Sequence, residues 1–290
     1  MANSLRAVQS RINSTKSTAQ ITKAMYMVSQ SKVKKAEKTY KSYIDFMQRI
    51  ASMVKELLEN DSIDIHPLLK PREVKKTAYF IITSDRGLAG SYNSGLFKAF
   101  DEKIKECHKS NDEFTTAAVG KQGFAYLKRK NYPLEQKNPT FIRDDVMFVD
   151  IVPLAKKFID DYLAGEIDKL VIVYNHYINS LTQEVRFEEL LPISKVEGIK
   201  TSIDYVYETG IEKTLNIILP MYVEDIIYGI ILDAKTAEHS ARMNSMKNAT
   251  DNAEEVIGKL ELLYNRARQA VVTNELIDII GGANAIGGDK

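Results

Sequence analysis

Residues Leu5 to Leu58 read LRAVQSRINSTKSTAQITKAMYMVSQSKVKKAEKTYKSYIDFMQRIASMVKELL and, like the whole of the first sixty residues, contain neither Gly nor Pro. Alternate steps of three and four from Leu5 pick out Val8, Ile12, Thr15, Ala19, Thr22, Tyr26, Ser29, Val33, Ala36, Tyr40, Tyr43, Met47, Ile50, Val54 and Leu57, thirteen of the sixteen apolar. A 3-4 repeat kept over so many turns is the seam of a coiled coil, not the face of an ordinary globular helix. Thr15, Thr22 and Ser29 interrupt it but are small, so a partner helix can approach closely there. The predicted helix is about 80 Å long at 1.5 Å per residue.

A helix of that length cannot bury its stripe alone, and the far end of the chain offers the partner. Ala249, Ala253, Val256, Leu260, Leu263, Ala267 and Ala270 follow the same stepping, and Pro220 is the last proline. The reading is a second helix from about 211 to 284, loosened at the end by Gly281-Gly282 and Gly287-Gly288, lying antiparallel to the first.

Between the two, the pattern changes. Lys76 to Ser84 (KTAYFIITS) reads as a buried strand, Ser91 to His108 as a helix, Thr115 to Gly120 as a strand and Lys121 to Lys130 as a helix. A helix over 147–164 follows, then strands at Leu170 to Asn175 and Leu181 to Glu188 joined through Asn179-Ser180. Such alternation predicts an α/β layer with at least partly parallel strands. The fold class is therefore α/β: a long antiparallel helical coiled coil from the two ends plus a central α/β domain. The predicted segments are helix 1–58, linker 59–75, α/β domain 76–194, linker 195–210 and helix 211–290.

Composition closes several routes. Apolar residues make up 44% and charged residues 27%, an ordinary globular balance that excludes disorder and collagen. The longest uninterrupted apolar runs, such as Ile226 to Leu232, fall far short of a bilayer span, and Met1 to Ser10 carries no apolar core of a signal peptide, so a cytosolic chain without a membrane crossing is expected. Cys107 is the only cysteine and the histidines His66, His108, His176 and His239 are scattered, which leaves no disulfide and no spacing for structural zinc. The net charge of +1 conceals an uneven distribution: Met1 to Ile44 holds nine Lys or Arg against Glu37 alone, whereas Met221 to Lys290 holds seven basic against eleven acidic residues.

Thr83 to Asn93 (TSDRGLAGSYN) follows a strand and opens a helix, where phosphate-binding loops sit. It contains neither G-x-x-x-x-G-K-[ST] nor G-x-G-x-x-G, so it reads as a tight turn with Asp85 and Arg86 tied to the backbone. No Ser-His-Asp, Cys-His or H-E-x-x-H arrangement is present, so catalysis within this chain is not expected, nor is a cofactor. The basic N-terminal helix reads as a solvated face, a nucleic-acid surface or a docking strip for acidic protein segments; its tyrosines Tyr26, Tyr40 and Tyr43 fall on the seam itself. Near the C-terminus, Val271, Val272, Leu276, Ile277, Ile279 and Ile280 spread over roughly 240° of helix circumference, wider than a seam needs. A tip that is apolar all round calls for a sleeve. Two classes stand on these residues: a mechanical part of a larger machine, and a basic coiled-coil nucleic-acid-binding or scaffold protein.

Arg11 to Lys32 (RINSTKSTAQITKAMYMVSQSK) resembles the N-terminal signature of the ATP synthase gamma subunit, of the bacterial F-type. Ala237 to Ala253 (AEHSARMNSMKNATDNA) and Tyr264 to Ala283 (YNRARQAVVTNELIDIIGGA) resemble its C-terminal helix, and Ser84 to Asn93 is similar to its S-D-R-G-L-C-G loop with Ala89 where cysteine is frequent. The resemblance runs from end to end of the chain. It implies a Rossmann-like central domain and a noncatalytic central stalk, one copy per complex, that rotates inside a hexamer of alpha and beta subunits. Proton flow through the membrane c-ring turns this stalk, and its faces drive the catalytic beta sites in sequence. The implied place is the cytoplasmic face of the bacterial cell membrane, peripheral, with the epsilon subunit beside it and no nucleic acid.

Residue by residue, Lys23 and Met25 are similar to positions that face the acidic lever of beta, with Arg242, in the segment packed against them, implied as a further beta contact. Arg268 and Gln269 resemble a pair that meets a catch loop of beta, with Thr273 and Glu275 close by on the tip. Tyr205, Tyr207 and Glu208 are similar to the foot that rests on the ring beside epsilon. The cysteine-bearing regulatory insert of chloroplast relatives has no counterpart, so thiol switching is not expected.

Overall fold

The computed structural model describes residues 2–59, 66–193 and 211–287; of the stretches outside them, 60–65 falls in the first expected linker and 194–210 takes in the whole of the second. Two compact units are present: Ser29–Asn244 is one, and Met1–Val28 with Ser245–Lys290 is the other. The division falls inside both long helices, α1 (Ala2–Glu59) and α5 (Ile211–Gly287).

The larger unit is built on a four-stranded sheet of order β2-β1-β3-β4, with β1 (Thr77–Ile82), β2 (Phe114–Val119), β3 (Lys169–Tyr177) and β4 (Gln183–Leu191). β1 pairs parallel with β2 and β3, and β4 runs antiparallel along β3. All six residues of β1 are buried because the sheet is covered on both faces. The period of two splits them: Ala78, Phe80 and Ile82 join one apolar cluster, Tyr79 and Ile81 the other. Against Tyr79 and Ile81 lie α2 (Tyr92–Cys107), presenting Leu96, Phe100 and Ile104 at four-residue steps, and α3 (Lys121–Lys130) with Tyr126 and Leu127. The opposite face is covered by α4 (Phe148–Leu163), by α5 from Leu215 to Ala234, and by Ala51 and Val54 of α1.

These elements match the sequence reading to within a few residues at each end. The strands β3 and β4 do turn at Asn179, whose Oδ1 accepts from the N–H groups of Leu181 and Thr182, 2.9 Å each. α5 has one stretch apolar and long enough by composition to cross a membrane, contrary to the estimate from uninterrupted runs, but 67% of that stretch is buried inside the fold. Its apolar character is used on the sheet.

The smaller unit is an antiparallel helix pair. Ile12, Ala19 and Thr22 of α1 and Met246, Thr250 and Ala253 of α5 are buried, and Thr22 meets Thr250 while Lys16 meets Glu261, so α5 ascends as α1 descends. Every expected seam position of α1 from Leu5 to Tyr26 is buried or half-buried, as are those from Ser29 to Val54 in the larger unit. The expected α5 stripe needs correction. The row turned inward is Met246, Thr250, Ala253, Ile257, Leu260, Tyr264, Ala267, Val271 and Asn274. Ala253, Leu260 and Ala267 belong to both rows and Ala249 is half-buried, but Val256 and Leu263 are 44% and 51% exposed and Ala270 is exposed too. Hydropathy favoured the wrong row because Thr250 and Asn274 look like surface residues, whereas Thr250 is turned inward to meet the hydroxyl of Thr22.

Candidate interaction site

Ligands of doubly wound sheets sit in the crevice beyond the carboxyl ends of the strands, where the chain order reverses. Here that place lies between the ends of β1 and β3 and is occupied by α5. Tyr92 donates its hydroxyl to the Ala234 carbonyl at 3.0 Å, and Asn175 donates its amide to the Tyr92 carbonyl at 3.0 Å. Asp233 meets His176 at 2.6 Å and accepts from the Tyr177 N–H at 3.0 Å. The loop after β1 is likewise consumed internally, since Asp85 accepts from the Lys121 N–H at the start of α3 and Asn93 brackets Ser84 through Oδ1 and Nδ2. Arg86 is tied through its carbonyl, which accepts from Arg242 at 3.2 Å. The loop is a structural turn wrapped around a helix, as expected for Asp85 and Arg86, and Thr83 to Asn93 supplies no open phosphate cradle.

Arg242 therefore has a structural task in the larger unit. It also pairs with Glu238 at 2.8 Å, and Glu238 takes Lys235 from the other side at 3.2 Å, all three side chains largely buried. One turn away His239 is 3% exposed and 3.5 Å from Asp144, which Lys32 of α1 also engages. Burial lowers the His239 imidazole to about 4, against the pull of Glu238 and Asp144. Asp144 is itself lowered, despite the cost of burial, by the Lys32 hydrogen bond and by His239. Sequence reading passed over this charge network, although Lys235, Glu238 and Arg242 stand at i, i+3 and i+7, a spacing that places an acid between two bases on one helix face.

The other expected contact residues lie in the smaller unit. Lys23 is exposed and Met25 half-buried; two residues apart on a helix they point to different sides and do not make one patch. Arg268, Gln269, Thr273 and Glu275 are all exposed on α5. Arg268 and Glu275 are separated by two turns on one face, and Gln269 and Thr273 by one turn on its flank. Among the described residues none of Lys23, Arg268, Gln269, Thr273 and Glu275 has an ion pair or side-chain hydrogen bond. Beyond them the helix continues with every residue from Glu275 to Ala283 exposed, including Leu276 at 54%, Ile277 at 59%, Ile279 at 67% and Ile280 at 58%. The diglycine Gly281-Gly282 stays helical. Tyr205, Tyr207 and Glu208 lie outside the described residues.

This arrangement offers an uncovered set of polar and apolar side chains on a helix end and a filled ligand crevice in the sheet, which suits contact with other proteins better than chemistry. Three solved structures are similar. A chain from the central stalk and c-ring of the Tetrahymena thermophila mitochondrial ATP synthase is 28% identical, with 79% of this chain and 99% of that one covered and a TM-score of 0.62. Two chains from the Euglena gracilis mitochondrial ATP synthase share the fold at lower identity. One is from an assembly of OSCP, F1 and c-ring, at 17%, covering 100% and 97%, with a TM-score of 0.66; the other is from the rotor, at 16%, covering 94% and 100%, with 0.63. A family model described as ATP synthase matches residues 4–286, and the chain belongs to the ATP synthase gamma-subunit family.

Proposed function

We propose that the chain is the central-stalk rotor of an F-type ATP synthase, turning within a hexamer of alpha and beta subunits and coupling ion flow through a membrane c-ring to ATP synthesis or hydrolysis at the beta sites. In this reading segments 1–58 and 211–290 are the shaft, 76–194 is the α/β body, and 59–75 and 195–210 are connections, the second carrying the foot Tyr205, Tyr207 and Glu208 toward the ring and epsilon. Lys23, Met25, Arg268, Gln269, Thr273 and Glu275 touch beta, whereas Arg242, on the shaft helix, is engaged by Glu238 and the Arg86 carbonyl. The chain itself is noncatalytic. It sits peripherally on the cytoplasmic face of a bacterial cell membrane, where the solved relatives named above are mitochondrial.

The observation that carries the reading is the run of exposed residues Glu275 to Ala283 with its four bare aliphatic side chains. A free protein has no use for an apolar end of that kind, and a shaft seated in a collar does. The alternative of a nucleic-acid-binding coiled coil gains nothing, because Tyr26, Tyr40 and Tyr43 are half-buried in the seam and not presented for stacking on bases. Co-expression with cognate alpha and beta subunits, followed by size-exclusion chromatography and an assay of ATP hydrolysis, is the test. One copy of this chain per three alpha and three beta, with ATP-driven rotation, is the expected result. Ending the chain after Thr273 is expected to weaken assembly or torque while the α/β body stays folded. Unchanged rotation and coupling in that truncation would remove the tip from the proposal, and failure to co-purify would remove the proposal itself.

A further inference from the structure

A cleft of about 610 Å³ opens in the larger unit between α1, α5 and the edge strand β4. None of the residues expected to meet other subunits lines it. Its floor is one face of α5, where Tyr222, Asp225, Gly229 and Asp233 recur at three- and four-residue steps. Gly229 lets Met47 of α1 pack directly on the helix backbone, since a Cβ there would stand 2.4 Å from the Met47 sulfur and the thioether would have to move aside. Tyr40 and Tyr174 supply aromatic wall, and the exposed Glu188 and Glu189 on β4 give the mouth an acidic rim beside Arg186.

The two buried carboxylates of the floor are not equivalent. Asp233 is satisfied by His176 and by the Tyr177 N–H. Asp225, 3% exposed, accepts from the Tyr43 hydroxyl at 2.7 Å through Oδ1, while its Oδ2 is buried with no hydrogen-bond partner. Burial pushes the Asp225 carboxyl up and only the tyrosine hydrogen bond opposes it. A buried carboxylate oxygen without a donor is a costly feature that a cationic donor would relieve. A metal ion does not suit, since among the described residues no three His, Cys, Asp or Glu side chains come together to furnish the several ligands a hard cation takes. An ammonium group does, because it needs one carboxylate, gains from tyrosine faces, and leaves its hydrocarbon body for Ile44, Met47 and Ile226.

We propose that this cleft is a binding site for a small organic cation, an ammonium group on an apolar body, with Asp225 as its counter-ion. The test uses the full-length chain and three probes of one shape: phenethylamine, phenethyl alcohol and phenylacetate. Titration followed by calorimetry and by the Met47 methyl resonance, assigned through Met47→Leu, is expected to show saturable binding of the amine. The alcohol should bind at least tenfold more weakly and the carboxylate not at all. Asp225→Asn keeps the acceptor for Tyr43 and is expected to lower amine affinity at least tenfold with an unchanged circular dichroism spectrum. Should Asp225→Asn fail to fold, Tyr40→Ala and Tyr174→Leu serve instead, each expected to weaken the amine severalfold. Equal binding of amine and alcohol, binding that survives Asp225→Asn, or no shift of the Met47 methyl at millimolar amine would each overturn the assignment.

Discussion

Thr250 donates a hydrogen bond to Thr22 across the helix pair, oxygen to oxygen 2.7 Å, and Thr22 passes one on to the carbonyl of Ala19 at 3.1 Å. Both residues are at least nine-tenths buried, so this polar contact sits inside a mostly apolar seam and fixes its register, because a slip of either helix would leave a hydroxyl facing hydrocarbon. Thr22→Val or Thr250→Val alone is expected to cost about 1 kcal/mol, and the two together much less than the sum, since isosteric removal of both partners leaves nothing unpaired. Hydrogen exchange of the amides of residues 15–28 in the single and double variants measures this. Strict additivity would show that the hydroxyls do not act as a pair.

Gly120 has φ +94°, and a Cβ on it would fall 2.3 Å from the Thr83 carbonyl oxygen, a backbone atom that cannot step aside. Gly120→Ala is therefore expected to destabilise the chain by about 3 kcal/mol or more, through left-handed strain and steric overlap together. Gly87, on the neighbouring loop, has nothing within 4 Å and is the control. Gly87→Ala should lie within about 0.5 kcal/mol of the parent in urea unfolding.

His239 sets a pH dependence. Its imidazole titrates near 4 in the folded chain and near 6.5 when unfolded. Between those values the unfolded chain binds a proton that the folded chain refuses, so the contribution is complete above about pH 6.5 and is lost as the solution acidifies toward 4. It amounts to about 3 kcal/mol. His239→Gln should flatten the stability curve over that window relative to the parent. A parallel pair of curves from pH 7 to 4.5 would show that the ring is not held neutral by burial.

Arg268 is exposed and has no partner within the described chain, so Arg268→Ala is expected to leave the fold within about 0.5 kcal/mol of the parent. Its cost should appear in the assembled complex, as a loss of about 1–3 kcal/mol in binding to the alpha-beta hexamer. Pull-down affinity measured beside thermal unfolding separates the two, and equal losses in both would mean that the arginine supports the helix and not a partner.

The sequence announced most clearly those parts that have one face wet and one face dry. α1 keeps its 3-4 stripe from Leu5 to Val54 because the positions between the seam residues are largely exposed and polar, Lys16, Lys23, Lys34, Lys38 and Lys41 among them, and α3 spans Lys121 to Lys130 as expected. Periodicity failed where burial is not one-sided. From Ile227 to Arg242 every residue of α5 is buried, so no stripe marks which side meets the sheet, and Asp233, Glu238, His239 and Arg242 read as surface residues although each is enclosed with a partner. Val256 and Leu263 erred the other way, as apolar residues left outside. For the contact residues, identity was legible only by resemblance: exposure separates Arg268 from Tyr264, but nothing in composition tells an exposed arginine that waits for a partner from one that keeps a helix soluble.

The bonds that close the strand-end crevice have a mechanical meaning. Tyr92 holds the Ala234 carbonyl, His176 and the Tyr177 N–H hold Asp233, Ser180 holds Ser240 through its carbonyl, and Arg86 holds Arg242, so four positions between Asp233 and Arg242 of α5 are pinned to three different stretches of the α/β body. A helix seated on a sheet by apolar contact alone can roll in its groove. One keyed at intervals around its circumference behaves as a splined axle in its hub: torque carried by α5 reaches the body through Tyr92, His176, Ser180 and Arg86 together.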